Sequence, residues 1–154
     1  MEQNTLLLII IPLASIGGFL LIYCLVLFIM SLSGWHFLAD ELTMQPGNPD
    51  HPEKVIKFQR ISFGWFSNYN GIVSIYFYPD GVMLKTFFFF KPFHPPLFIN
   101  WHEMTEVKFD QNRKNALTIF VRGKKITFYR AAVTEYLYQQ IKRYHPTCKD
   151  FENV

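Results

Sequence analysis

The sequence predicts an α+β protein: a single N-terminal transmembrane helix, then an antiparallel β roll of six to seven strands with a C-terminal helix. Three observations carry this. Residues 5–32 form an apolar run without one charged side chain. From Lys54 the hydrophobic period changes to two, with turn-forming residues between the apolar runs. Near the end, Val133, Leu137, Ile141 and Tyr144 recur at helical spacing, with Lys142 and Arg143 in the last turn and His145-Pro146 as the stop.

A run of 18 or more apolar residues reads as a membrane span, because in lipid every backbone N–H and C=O must be paired within the segment. Twenty residues rising about 1.5 Å each cover a hydrocarbon core of about 30 Å, so residues 5–32 cross once and are too few to cross twice. A cleaved signal peptide would start with basic residues and carry an apolar region of about 7–15 residues before a small-x-small site. This chain opens Met-Glu-Gln-Asn, and Ser31-Leu32-Ser33 is its only approximation to such a site. The segment is therefore read as a permanent anchor. All fifteen Lys and Arg residues follow it, which favours a C-terminal domain on the cytoplasmic side of the inner membrane. The chain has two cysteines, Cys24 and Cys148, and no Asn-x-Ser/Thr sequon. Neither a disulfide framework nor glycosylation marks the domain as secreted. Ala14 and Gly18 form a small-xxx-small pair, the candidate helix–helix face for a homo-oligomer.

Residues 33–53 read as a juxtamembrane segment and linker. Trp35 stands where an interfacial aromatic belongs, and residues 44–52 hold three prolines and a glycine. The domain proper is expected over 54–145, with 146–154 a tail. Residues 55–63 form a first strand, Asn70-Gly71 gives a hairpin signal, and 72–78 form a second strand. Pro79-Asp80-Gly81 turns the chain into a third strand, 82–90, which the proline-stiffened stretch 91–96 ends. Residues 97–101 and 104–109 give a fourth strand interrupted by a bulge. Residues 116–121 and 125–129 make a last hairpin around Arg122-Gly123-Lys124. An antiparallel sheet that curls on itself and is closed by an amphipathic helix is the pleckstrin-homology-like architecture.

Several phrases resemble a widespread family of small, membrane-anchored bacterial proteins to which no activity is assigned. The matching positions are Ser33, Gly34, Trp35, Leu38 and Ala39 after the helix, Gly81 and Leu84, and the run His94, Pro95, Pro96, Leu97, Ile99 and Trp101. Asn100 stands where that pattern has a proline, and Val82-Met83 where it has Leu-Tyr. The resemblance implies a pleckstrin-homology-like domain and no particular chemistry.

The residues themselves offer little chemistry. No nucleophile elbow, phosphate-cradling glycine loop or His-Glu-x-x-His motif occurs. His94, His102 and Glu103 are the one local set of metal-ligand types, without helical spacing. A buried, backbone-bonded histidine is the expectation there, with no metal, no cofactor and no catalysis. Beyond the helix, fifteen basic residues face eleven of the twelve acidic ones, Glu2 lying before it. That balance is too even for nucleic-acid binding, which needs a concentrated stripe.

Two surfaces remain. Along the third strand, alternation sends Val82, Leu84, Thr86, Phe88 and Phe90 inward and Met83, Lys85, Phe87 and Phe89 outward, since lysine is rarely buried unpaired. Phe87 and Phe89, with Phe93 in the next loop, form a candidate docking patch for a partner or the bilayer. Arg113, Lys114, Arg122, Lys124 and Lys125 lie at turns and are candidate membrane-facing cations, each adding about 1 kcal/mol of attraction to an anionic leaflet. Trp101 shares a strand face with Leu97 and Ile99 and is expected in the core. The function expected is a non-enzymatic, single-pass membrane protein displaying its domain to a protein partner as an accessory or scaffold subunit. The alternative is a membrane-surface or anionic-lipid-binding module.

Overall fold

The computed structural model describes residues 2–152 apart from 33, 43–46, 48–49, 65–66, 111–115 and 147–148. Helix α1 (Glu2–Leu32) is continuous for 31 residues, a length of about 46 Å. Pro12 lies inside it without ending it. Its stretch Ile10–Leu32 is long and apolar enough to cross a membrane, and almost all of that stretch is exposed on the protein itself. A helix apolar on every side finds its partner in lipid.

At Gly34 the chain breaks and turns. Its φ of 149° is open to glycine, and a Cβ there would sit 3.1 Å from the Cβ of Phe63. The short helix α2 (Trp35–Glu41) then folds back over the barrel. Trp35, Leu38 and Leu42 fall on one side of it and are buried in the core, Trp35 and Leu38 completely. Trp35 is thus a core residue and not the interfacial aromatic its position after the span suggests. The turn at Gly34 aims the whole 35–38–42 face inward, so the core includes residues on both sides of the proline-rich 44–52 stretch. Within that stretch the Gly47 amide donates to Asp80 Oδ2 at 2.8 Å.

The strands are β1 (Lys54–Phe63), β2 (Ser67–Tyr78), β3 (Gly81–Thr86), β4 (Leu97–Asn100), β5 (Met104–Asp110), β6 (Ala116–Val121), β7 (Lys124–Phe128) and β8 (Lys149–Glu152). They form one sheet in the order β4-β3-β2-β1-β7-β6-β5-β8. β1 bends the sheet into a nearly closed barrel: it pairs with β2 along most of its length and with β7 only from Ile61 to Phe63. Helix α3 (Ala131–Tyr144) packs Val133, Leu137 and Ile141 into the barrel. The inner faces of β2, β3, β6 and β7 supply Val73, Ile75, Phe77, Leu84, Ile119 and Phe128 to the same core. Seven antiparallel strands and a C-terminal helix give the α+β, pleckstrin-homology-like fold.

Four details depart from the sequence reading. Asn70-Gly71 lies inside β2, with Gly71 at φ 70°, so the dipeptide marks an irregularity of the strand and not its turn. β3 stops at Thr86, and Phe88–Phe90 form a 3-10 turn, so strand parity no longer governs them and Phe88 is exposed. Residues 97–110 are two strands split by a second 3-10 turn (Trp101–Glu103), β4 pairing with β3 and β5 with β6. In the stretch read as a tail, β8 adds a parallel strand to β5. Met83 does face away from the main core, where it packs with Tyr78 and Phe98 in a small second cluster.

Trp101 is buried at the 3-10 turn, stacked on Tyr144 at 6.0 Å and 7°, with Nε1 donating to the Pro79 carbonyl at 3.0 Å. Trp101→Ala removes both contacts. The full-length protein in detergent should lose about 3–5 kcal/mol in denaturant unfolding, and an unchanged midpoint would contradict this packing.

Candidate functional site

The end of α1 is built into the barrel. Leu27 and Ser31 are buried. The Met30 carbonyl, one of the last in the helix, accepts from Ser67 Oγ at 2.8 Å and lies 3.2 Å from the Tyr69 hydroxyl. Helix-terminal carbonyls need partners from outside the helix, and here the barrel supplies one. Below them Tyr69 Oη and His94 Nε2 are 2.8 Å apart, and His94 Nδ1 is 3.0 Å from the Pro92 carbonyl. A carbonyl only accepts, so Nδ1 is assigned the proton and Nε2 accepts from the Tyr69 hydroxyl. Trp35 Nε1 donates to the Pro95 carbonyl at 2.8 Å. The rings of Trp35 and Tyr69 lie 5.4 Å apart, and each lies 5.1–5.6 Å from those of Phe63 and His94, at tilted or edge-on angles. Trp35, from the phrase that follows the helix, and His94 and Pro95, from the proline-rich phrase, therefore meet at this junction.

Burial sets the electrostatics. It pushes the Tyr69 hydroxyl up to about 12, against the neighbouring Ser67 hydroxyl, which lowers it. It also holds His94 below its ordinary value of 6.5, against the pull of backbone carbonyls at Pro92 and Phe90. Both groups are neutral near pH 7. The junction is polar glue.

From the junction the chain leads into an aromatic loop. After Thr86 come successive tight turns, with Phe90 N–H donating to Phe87 O (2.8 Å), Lys91 N–H to Phe88 O (3.2 Å) and His94 N–H to Lys91 O (2.9 Å). Phe87, Phe88, Phe89 and Phe93 are left 44, 62, 59 and 45% exposed. The rings of Phe87, Phe88 and Phe89 touch in turn, 4.3 Å between Phe88 and Phe89 and 5.8 Å between Phe87 and Phe89. The loop is fastened to α1 twice: the Tyr23 hydroxyl donates to the Phe89 carbonyl, and Phe28 meets Phe93 edge-on at 5.4 Å. On the other side Phe87 approaches Phe58 of β1 at 6.2 Å.

The remaining candidates scatter. Arg113 and Lys114 lie outside the described residues. Arg122 is engaged by Glu103 through two bonds of 2.7 and 2.8 Å, and this pairing holds the Glu103 carboxyl below the usual carboxylate range. Lys124 rests its ammonium 4.2 Å from the ring centre of Phe37, and Lys125 is exposed. Ala14 and Gly18 are exposed on α1, and a Cβ at Gly18 would meet nothing within 4 Å. Among the described residues no group of three His, Cys, Asp or Glu converges as metal ligands. His94 and His102 sit apart, the first in the junction, the second beside His145 at 5.2 Å. Three residues escaped the sequence reading: Tyr23, hidden as one more residue of an apolar helix, and Phe58 and Arg60, on the outer face of β1. No local pattern flags them, because their partners come from distant elements.

No protein-family model matches the chain, and no curated protein matches it. Among solved structures 28 chains match. One of them, described as "Structure of the Spt16D Pob3N heterodimer", aligns with a TM-score of 0.47 and 14% identity over 68% of this chain and 58% of that chain. The present chain thus spans less than two thirds of that chain's length.

The junction should respond to acid. Because the native pKa of His94 is depressed, the unfolded chain takes up its proton first as pH falls through 6.5. Stability contributed by neutral His94 is complete above that value and is lost as pH drops toward the lower native pKa. The full-length protein in detergent should therefore melt lower at pH 5.5 than at pH 7.5, and His94→Gln should remove part of that difference. A higher midpoint at pH 5.5 would contradict a neutral His94.

Proposed function

We propose that this chain is a non-enzymatic, single-pass membrane module whose pleckstrin-homology-like barrel works against the bilayer surface, seated there by its aromatic loop. The observation that carries the reading is the double fastening of that loop to α1 at Tyr23 and Phe28. Both residues lie within the uncharged run, which ends at Leu32.

Helix length supports a level for them. A hydrocarbon core of about 30 Å uses about twenty residues of helix. Counted from Thr5, twenty residues reach Cys24. The remaining two turns of α1 stand beyond the core, and these are the turns that bury Leu27 and Ser31 in the barrel. Tyr23 then sits at the boundary, and the phenylalanines that share its level meet the acyl chains. Withdrawing a phenylalanine side chain fully from water is worth about 1.5–3 kcal/mol, so the half-exposed rings of Phe87, Phe88 and Phe89 are a strong reason for the barrel to lie on the lipid.

The built-in helix end also supports a retained anchor over a cleaved leader, because removing α1 would strip Leu27 from the core and leave Ser67 without its Met30 acceptor. The distribution of Lys and Arg supports a cytoplasmic domain. An accessory role toward a protein partner would use the faces turned away from the lipid, and self-association would use Ala14 and Gly18.

Depth-dependent quenching tests this reading. In a background with Cys24 and Cys148 changed to serine, an environment-sensitive dye is attached at Phe88→Cys, or at His102→Cys beyond the other end of β4. In vesicles of phosphatidylcholine brominated on its acyl chains, the dye at 88 should be blue-shifted and quenched while the dye at 102 is not. A dye at 88 with the emission it has in water, unquenched, would sink the proposal.

A further inference from the structure

A groove of about 330 Å³ opens on the outer face of the barrel beside the aromatic loop, lined by Phe58, Arg60, Asn70, Gly71, Tyr129 and Arg130. We propose that it is a phosphate site, and that its ligand is the headgroup of an anionic glycerophospholipid in the adjoining leaflet. The inference rests on the bilayer reading above for the source of the phosphate, and on the groove's own geometry for its chemistry.

The backbone around the groove is strained. Four described residues other than glycine have positive φ, and two of them, Phe58 at 57° and Arg130 at 91°, line this groove. A third, Phe93 at 64°, belongs to the aromatic loop. The pairing of β1 with β2 loses register on both sides of Gln59, between Ile56 and Gln59 and again between Gln59 and Ile61. Residues held in such conformations cost free energy that the fold must offset, and they concentrate where a side chain has to be aimed. Here the irregularity aims Phe58 toward Phe87, and the turn before α3 carries Arg130 to the same groove as Arg60, seventy positions away in sequence.

The groove has the donors a phosphate needs. Arg60, Arg130 and Asn70 line it, and guanidinium is the group whose planar fork matches phosphate oxygens. The Arg60 guanidinium lies 4.7 Å from the ring centre of Tyr129, which limits its freedom without neutralising it. Neither arginine takes part in the ion pairs of His36 with Asp40, Lys108 with Glu106 and Arg122 with Glu103. Among the described residues no carboxylate lines this groove.

The order of groups fits a lipid. Phe58 forms one wall and touches Phe87, whose amide donates to Ile72 O next to Gly71 at 2.7 Å. From Phe87 the ring contacts continue to Phe89 and so to Tyr23 of the span. A run of aromatic contacts that leads from the span to a pair of arginines matches the order, acyl chain and then phosphate, that a phospholipid presents.

The test uses the full-length protein in phosphatidylcholine nanodiscs doped with photoactivatable phosphatidic acid or, separately, photoactivatable phosphatidylcholine carrying the same reactive group. Phosphatidic acid should label about tenfold more, the ratio that a charge-assisted hydrogen bond supports. The labels should map to peptides bearing Phe58–Arg60, Asn70–Gly71 and Tyr129–Arg130. Arg60→Gln and Arg130→Gln should each reduce the labelling. Equal labelling by the two lipids, or label confined to other peptides of the unaltered protein, would overturn the site without recourse to any variant. Abolition of the labelling by millimolar inorganic phosphate would overturn the lipid source in favour of a soluble phosphate. A lipid-buried dye at position 88 with equal labelling removes this site alone. A dye in water with selective labelling removes the aromatic seat alone.

Discussion

The hydrogen bond between Tyr69 and His94 holds the rest of this structure in its arrangement. It is made in a buried pocket, where an unsatisfied hydroxyl or imidazole would cost far more than the bond itself contributes. Around it converge the last carbonyls of α1, the tryptophan that opens α2, the start of β2 and the loop after β3. Each of these elements brings a polar group that cannot be buried without the others. The helix, the barrel and the aromatic loop are consequently fixed relative to one another by mutual satisfaction of hydrogen bonds, with the ring contacts of Trp35, Phe63 and Tyr69 excluding water around them.

That arrangement explains how a small barrel tolerates so many phenylalanines on its surface. An apolar patch is a liability on a freely tumbling domain and an asset on one held at a lipid boundary. The proline-rich sequence from Pro92 to Pro96 keeps the loop in tight turns, and its attachment to Tyr23 and Phe28 prevents the rings from folding back on the barrel. Strain at Phe58 and Phe93 is the accompanying cost, offset by the main core between the sheet, α2 and α3.

Much of the fold was legible because the physics is local. The uncharged run announces a span, period-two alternation announces strands, and Val133, Leu137 and Ile141 announce a helix with one buried face. What escaped detection depends on tertiary context. An interfacial tryptophan and a core tryptophan look alike in sequence, so Trp35 was legible as an aromatic and not as buried. Asn70-Gly71 suits a hairpin turn and an irregular strand equally well. Parity assigned Phe88 to the interior only while the strand was assumed to continue past Thr86. β8 is four residues long, with Phe151 its one apolar residue, and so short a stretch leaves no periodic trace in the sequence. Of the candidate surface residues, the aromatic patch was visible by composition. The groove at Arg60 and Arg130 was not, because only the meeting of β1 with the end of β7 brings them together.

The seating of the end of α1 in the barrel, through buried Leu27 and Ser31 and the Met30 carbonyl bonded to Ser67, has a mechanical result. A flexible tether would let the domain drift and reorient while its anchor stayed put. Here the last two turns of the anchor pack into the domain, so in the proposed seating the two move as one lever with its fulcrum at the lipid boundary. Membrane helices adjust to bilayer thickness by tilting. In that seating a tilt of α1 turns the barrel with it, lifting one rim of it from the headgroups and pressing the opposite rim down. A change in the thickness of the membrane thus becomes a change in which face of the domain meets the solvent.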